Sequence, residues 1–189
     1  KLKRTYEAGV RLIEEIKDEI MYLESIINAL DIATTENDLN NIKEELIITG
    51  YIKKNSKSKS KDNKNNKPLH YISSDGFDMY VGKNNLQNDE LTFKFASNSD
   101  WWFHAKQMPG SHVIVKTNGK ELPDRTFEEA AALAAYYSKG RDLDKVEVDY
   151  VLKKEVKKPA AAKPGFVVYY TNYSLIAIAD INGIKEVTG

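Results

Sequence analysis

Within the thirteen residues DWWFHAKQMPGSH (100–112) lie both tryptophans of the chain and two of its three histidines. An aspartate, a lysine and a Pro-Gly turn complete the run. Asp100, His104 and His112 are legitimate metal ligands, because two imidazoles and one carboxylate can form a facial site for iron or zinc. Their spacing matches no compact helical ligand pair, however, and the chain has no Cys to supply a thiolate or a nucleophile. The reading is therefore no metal and no cofactor, with a metal-dependent nuclease built on these three residues as the minor alternative. Ser111 and His112 do not make a catalytic pair, since neighbours on a strand point to opposite faces. The stretch GKNNLQND (82–89) lacks the glycines of a phosphate-binding loop. Nothing here makes a positive case for an enzyme.

Binding of nucleic acid uses more of what is present. Aromatic rings offer bases a stacking platform, and Lys and Asn beside them can meet phosphates and base edges. KKEVKKPAAAKPG (153–165) adds a second concentration of positive charge through Lys153, Lys154, Lys157, Lys158 and Lys163. Three consecutive aromatics at 101–103 cannot all face solvent on a strand, so core packing competes for them. Alternation puts Trp102 and His104 on one face, and Trp101, Phe103 and Ala105 on the other. Phe103 and Ala105 suit a core, whereas His104 and Lys106 suit an RNA-facing surface.

The elements that must position these residues follow from periodicity. From Leu2 to Leu30, apolar residues recur at spacings of three and four (Leu2, Tyr6, Val10, Ile13, Ile16, Ile20, Leu23, Ile27, Leu30), one stripe of a long helix that reads as a coiled-coil arm. DIATTE (31–36) interrupts it with capping residue types, and Leu39, Ile42, Leu46, Ile47 and Tyr51 resume helical spacing before Gly50 stops it. The two helices fold back on each other or pack on a further helix. KKNSKSKSKDNKNNK (53–67) has no aliphatic or aromatic residue, which predicts a solvated linker. Beyond it the pattern is mixed. Strands are expected at 70–73 and 77–82 around a Ser-Asp-Gly turn, at 102–105 and 112–116 around Pro109-Gly110, and at 146–152, 166–170 and 175–179. A short helix running into an extended piece is expected over 85–96. Thr126-Phe127-Glu128-Glu129 reads as a capping box opening an Ala-rich helix that ends at Gly140. The class is α+β, a mostly antiparallel sheet with flanking helices, preceded by a helical arm. The divisions are 1–52, 53–67 and 68–189.

Composition agrees. Hydrophobic residues make up 41% of the 189 and charged residues 30%, enough for a core. The net charge of zero conceals segregation: residues 1–52 hold six basic and eleven acidic side chains, and 53–67 hold seven Lys and one Asp. No apolar run spans a membrane, no signal peptide opens the chain, and the lack of Cys suits a reducing, cytoplasmic setting. Starting at Lys1 rather than Met, the chain is expected to be a fragment of a longer protein.

Residues 82–116 and 157–178 resemble the NFACT-R domain, the C-terminal RNA-binding module of the RqcH, NEMF and Tae family. The resemblance rests on Gly82, Lys83, Asn84, Asn85, Asn88 and Asp89, and on Asp100, Trp102, Phe103, His104, Lys106, Pro109, Gly110, Ser111, His112 and Val113. It extends to Lys157, Lys158, Pro159, Lys163, Pro164 and Gly165. Residues 1–52 look like the end of the family's middle coiled coil. The resemblance implies a ribosome-associated quality-control factor that binds split large subunits carrying peptidyl-tRNA, recruits alanyl-tRNA and supports untemplated tailing of the stalled nascent chain. Its partners would be tRNA, the large ribosomal subunit and the rest of the same chain, with no membrane. Bacterial members are also labelled fibronectin-binding proteins, so an adhesin fragment is the alternative. The RNA-binding candidates are Lys83, Asn84, Asn85, Asp100, Trp102, His104, Lys106, Ser111, His112, Lys154, Lys157, Lys158 and Lys163.

Overall fold

Alternating strands and an alanine-rich helix build a seven-stranded antiparallel sheet with a core on each face. The structure is a computed structural model that describes residues 2–54 and 67–188. In chain order the elements are α1 (Leu2–Ile32), α2 (Glu36–Ile48), β1 (Leu69–Ile72), β2 (Asp78–Val81), α3 (Asn85–Glu90), β3 (Trp101–Ala105), β4 (Val113–Val115), α4 (Asp124–Tyr136), β5 (Val146–Leu152), β6 (Tyr173–Ala177) and β7 (Lys185–Glu186). The strands lie in the order β6-β5-β3-β4-β2-β1-β7. Every pairing is antiparallel, so the expected α+β class holds. Most of the Lys-rich stretch, residues 55–66, falls outside the described residues.

The side-chain period of two divides β3 between two cores. Phe103 and Ala105 join Met79, Val81, Val113, Val115 and Val148 under α4, whose Ala130, Ala131 and Ala134 let helix and sheet approach closely. Trp102 faces the other way, with Ile114 and Val151 beneath Leu91 and Val156. The alternation is as expected, yet the Trp102 face is a second core rather than an open surface: Trp102 and Phe103 are both 0% exposed. The segment after α3 covers it. Leu91–Phe95 continues the helix as a π-helical turn instead of running on extended, and its wider turn places Leu91 and Thr92 inward.

Three further expectations change. Helix α4 starts at Asp124 with Pro123 ahead of it, and no side chain caps it. Thr126 Oγ1 instead hydrogen-bonds Ser73 and Asp75, and Glu129 accepts from the Ser74 amide at 2.8 Å, so the capping-box residues tie the helix to the β1–β2 turn. The helix ends at Tyr136, four residues before Gly140. Residues 166–170 form no strand and touch the rest of the fold's backbone ladder through a single bridge, Lys157 to Val168.

The arm is a helical hairpin. Thr35 and Asp38 form a reciprocal capping box that opens α2. Tyr22, Ile26 and Ala29 of α1 pack on Ile42 of α2, and Ile32 reaches the main core. This seam has the predicted three-four spacing but is rotated around the helix from the predicted stripe. The residues of that stripe, from Leu2 to Leu30, are exposed. None of the described helices is long and apolar enough to cross a membrane.

Because Phe103 and Trp102 fill opposite cores with no exposed surface, Phe103→Ala and Trp102→Ala should each cost about 3–5 kcal/mol. Thermal melts check this. For a domain of this size the midpoint should fall by roughly 10–20 °C, and an unchanged midpoint would contradict the packing.

Candidate nucleic-acid interface

The residues that carry the resemblance gather at three places: a joint with the helical arm, a buried aromatic cluster, and a surface ribbon. The joint begins with α3. Asn84 opens the helix, its Oδ1 accepting from the Gln87 amide at 3.0 Å. Lys83 turns away from solvent and ion-pairs with Asp38 of α2, with side chains 13% and 2% exposed. Asn85 Nδ2 donates to Glu45 Oε1 of α2 at 2.9 Å and to Ser25 Oγ of α1 at 2.7 Å. Tyr22 adds a second hydrogen bond to the same Glu45 oxygen at 2.9 Å.

The loop 157–165 closes the joint from the other side. Lys158 Nζ donates to both oxygens of Asp89 and to the Lys163 carbonyl at 2.6 Å. Lys163 pairs with Glu19 of α1, donates to the Tyr51 hydroxyl at 2.9 Å, and lies 4.5 Å from the centre of the Tyr22 ring. Gly165 has φ +78°, and a Cβ there would stand 2.4 Å from Asn85 Oδ1, so only glycine lets this loop meet α3. Electrostatics record the enclosure. Burial works against the Asp38 carboxylate, but Lys83 and Thr35 hold its pKa below the usual range. Burial pushes Glu45 up despite its bonds to Asn85 and Tyr22.

The aromatic cluster surrounds Trp102. Its ring stacks with His104 at 5.6 Å and meets His112 and Tyr169 edge-on or tilted at 5.0 and 5.2 Å. His112 is buried, with Nδ1 2.8 Å from Thr92 Oγ1 and its amide donating to Asn88. Ser111 is buried beside it, and its amide donates to the Tyr137 carbonyl. Tyr169 donates to Asp149 at 2.8 Å and caps the cluster. Burial lowers the His104 pKa to about 4, only partly opposed by hydrogen bonding to the Gly110 backbone and by Asp149. Burial also carries His112 well below its ordinary value, helped by His104 and Lys158 nearby. Both rings are neutral packing groups at pH 7.

Asp100 belongs to neither histidine. Its carboxylate accepts from the Ser97 and Thr117 amides at 2.7 and 3.0 Å and pairs with Lys116. Among the described residues no group of three or more His, Asp or Glu is placed to hold a metal ion. Lys106 leans on Glu147 at 2.5 Å. Of the thirteen candidates, only Lys154 and Lys157 stand out at the surface. Lys154 has Glu155 4.0 Å away.

What sequence reasoning missed is the arm's side of the joint: Glu19, Tyr22, Asp38, Glu45 and Tyr51. One signal was available. Glu45 follows Ile42 by three residues and so shares its inward face, where a carboxylate requires a partner.

Residues 67–171 match the family model described as NFACT protein RNA binding domain, and residues 1–65 match that described as NFACT N-terminal and middle domains. The Rqc2 homolog RqcH of Streptococcus pneumoniae is 46% identical over 187 residues, covering 98% of this chain and 33% of that protein. The Rqc2 homolog RqcH of Bacillus subtilis is 39% identical over 180 residues, covering 94% and 30%. Among solved structures, the C-terminal of the fibronectin/fibrinogen-binding protein from Streptococcus suis is similar with a TM-score of 0.86 and 44% identity, covering 95% of this chain and 71% of that one. The chain thus spans about a third of the length of the curated relatives it matches.

The depressed His104 pKa has a pH consequence. The unfolded imidazole, at about 6.5, takes up its proton before the folded one at about 4. The neutral ring therefore contributes stability that is present above pH 6.5 and lost as the pH falls toward 4. Between pH 7 and pH 4 the stability advantage of the wild type over His104→Gln should shrink by about 2 kcal/mol, discounted because the residue keeps some exposed surface. Denaturant melts at both pH values measure it. A pH-independent difference would contradict the enclosed, neutral imidazole.

Proposed function

The chain belongs to the NFACT protein family, and from that premise we propose that it is the RNA-binding module, with the end of the middle helical arm, of a ribosome-associated quality-control factor. The observation that carries this reading is the RNA-binding-domain match over 67–171 together with 46% identity to an Rqc2 homolog across nearly the whole chain. On this reading the arm (1–52) and the module (68–189) are successive parts of a longer protein, joined through the Lys-rich segment 53–67. The factor works in the cytoplasm. It engages large ribosomal subunits that carry peptidyl-tRNA after a stalled ribosome has split, and it recruits alanyl-tRNA for untemplated C-terminal tailing. The module's task is to hold RNA in place. Bond formation belongs to the ribosome, so the module binds rather than catalyses.

The chemistry available suits that task. Cations positioned on a rigid sheet gain affinity by releasing counterions from phosphate, without reading sequence. The second reading, a fibronectin-binding adhesin, draws on the name of the similar Streptococcus suis structure. Filter binding separates the two. With about three to four phosphate contacts, affinity for tRNA or large-subunit rRNA should fall by about one to two orders of magnitude between 50 and 200 mM salt. Fibronectin tested in parallel should not bind. Fibronectin binding with no RNA binding would overturn the proposal.

A further inference from the structure

We infer that the RNA contact lies on the outer face of the ribbon formed by residues 156–159 and 166–170 and on the helical turn Lys153–Glu155 that leads into it, where Tyr170 stacks an unpaired base and Lys153, Lys154 and Lys157 meet the flanking phosphates. This inference rests on the RNA reading above and assigns its surface. The aromatic residues of the 100–112 run cannot serve. Trp102, Phe103 and His112 are at most 1% exposed, and Trp101 packs on Phe127 and Tyr150.

The ribbon is built the opposite way. Lys157 and Val168 exchange both backbone hydrogen bonds at 2.9 Å, which puts them directly opposite each other. Alternation on each side of that bridge sends Val156, Val167 and Tyr169 into the core beneath Trp102. The same alternation sends Lys157, Phe166 and Tyr170 outward, and Tyr170 is 84% exposed and Phe166 46%. Two aromatic rings thus flank a central lysine, two residues to either side of its cross-strand partner.

Lysine is concentrated along this surface. Residues 153–170 contain five lysines and one glutamate. Lys158 and Lys163 are used inside the joint, held by Asp89 and Glu19. Lys153 and Lys157 have no ion-pair partner among the described residues, and Lys154 has only Glu155 at 4.0 Å. Lys106 and Lys116 are neutralised by carboxylates at 2.5 Å, whereas Lys120, Lys145 and Lys185, without ion pairs among the described residues, are scattered along the sequence. Two unpaired lysines and one loosely paired, with an open tyrosine, match a polyanion whose base faces are free, as in a loop or single strand. A duplex hides those faces. The buried side of the same ribbon is anchored through Tyr169 to Asp149, so the platform is held rigid.

Fluorescence anisotropy of the 1–189 chain with a fluorescein-labelled twelve-residue oligouridylate, and with a duplex RNA of equal length, tests the assignment. The wild type should prefer the single strand. Tyr170→Ala should weaken that binding about tenfold, and Tyr170→Phe should restore most of it. Lys154→Ala with Lys157→Ala should lower the slope of log affinity on log salt by about 1.4. Lys185→Ala, at an exposed position on the edge strand β7 away from the ribbon, should change neither quantity. Wild-type RNA binding that Tyr170→Ala and the lysine pair leave intact would overturn this surface while leaving the RNA reading in place. Failure of the wild type to bind either RNA would overturn both.

Discussion

Asp38 and Lys83 hold their opposite charges almost out of water, with side chains 2% and 13% exposed, on elements separated by 45 residues. Removing two ions from solvent is costly, and only close mutual contact with further hydrogen bonds repays it. Here Thr35 and the Thr34 amide complete the carboxylate's shell. The pair therefore favours the docked arrangement of arm and module in which both charges are matched, and a shifted docking that kept either one buried without the other would be costly. Asn85, Glu45 and Tyr22 extend the same constraint with a network that an apolar contact would not impose. Lys163, between Glu19, Tyr51 and Tyr22, repeats it at the outer rim.

Seen from this joint, the residues that carry the NFACT resemblance divide by task. Lys83, Asn85, Asp89, Lys158, Lys163 and Gly165 set the direction in which the helical arm leaves the sheet. Trp102, His104 and His112 pack the face beneath the ribbon. On the proposed reading, a surface held at a fixed angle to a long arm would suit a large, rigid partner, since ordering costs are met within the folded protein before binding. On the proposed reading the motifs specify the geometry of presentation, and the contact falls to exposed residues near them.

Much of this was legible in the sequence. Alternation located β1 to β5 within a residue or two, separated Phe103 from Trp102, and gave the antiparallel α+β class that the fold has. Period-two and period-3.6 patterns report which residues share a face. They do not report what lies over that face. Alternation alone therefore leaves the Trp102 side free to face RNA, whereas Leu91, Val156 and Tyr169 cover it. The same limit applies to α1, whose longest apolar stripe is exposed while Tyr22, Ile26 and Ala29 make its packed seam. Lysines and asparagines rich enough to suggest RNA found intramolecular partners instead, because their acids arrive from 40 to 144 residues away. Thr126-Glu129 had the chemistry of a cap and spent it on the β1–β2 turn, since Ser73, Ser74 and Asp75 were nearer than the helix's own amides.

A distance measured across the joint tests its rigidity most directly. The chain has no native Cys, so nitroxides can be attached through Lys17→Cys on α1 and Glu128→Cys on α4, both at exposed positions. Pulsed dipolar spectroscopy should give one narrow distance distribution. Adding Lys83→Met, which leaves Asp38 buried without its partner, should broaden it. A broad distribution in the otherwise unaltered chain would contradict a fixed arm.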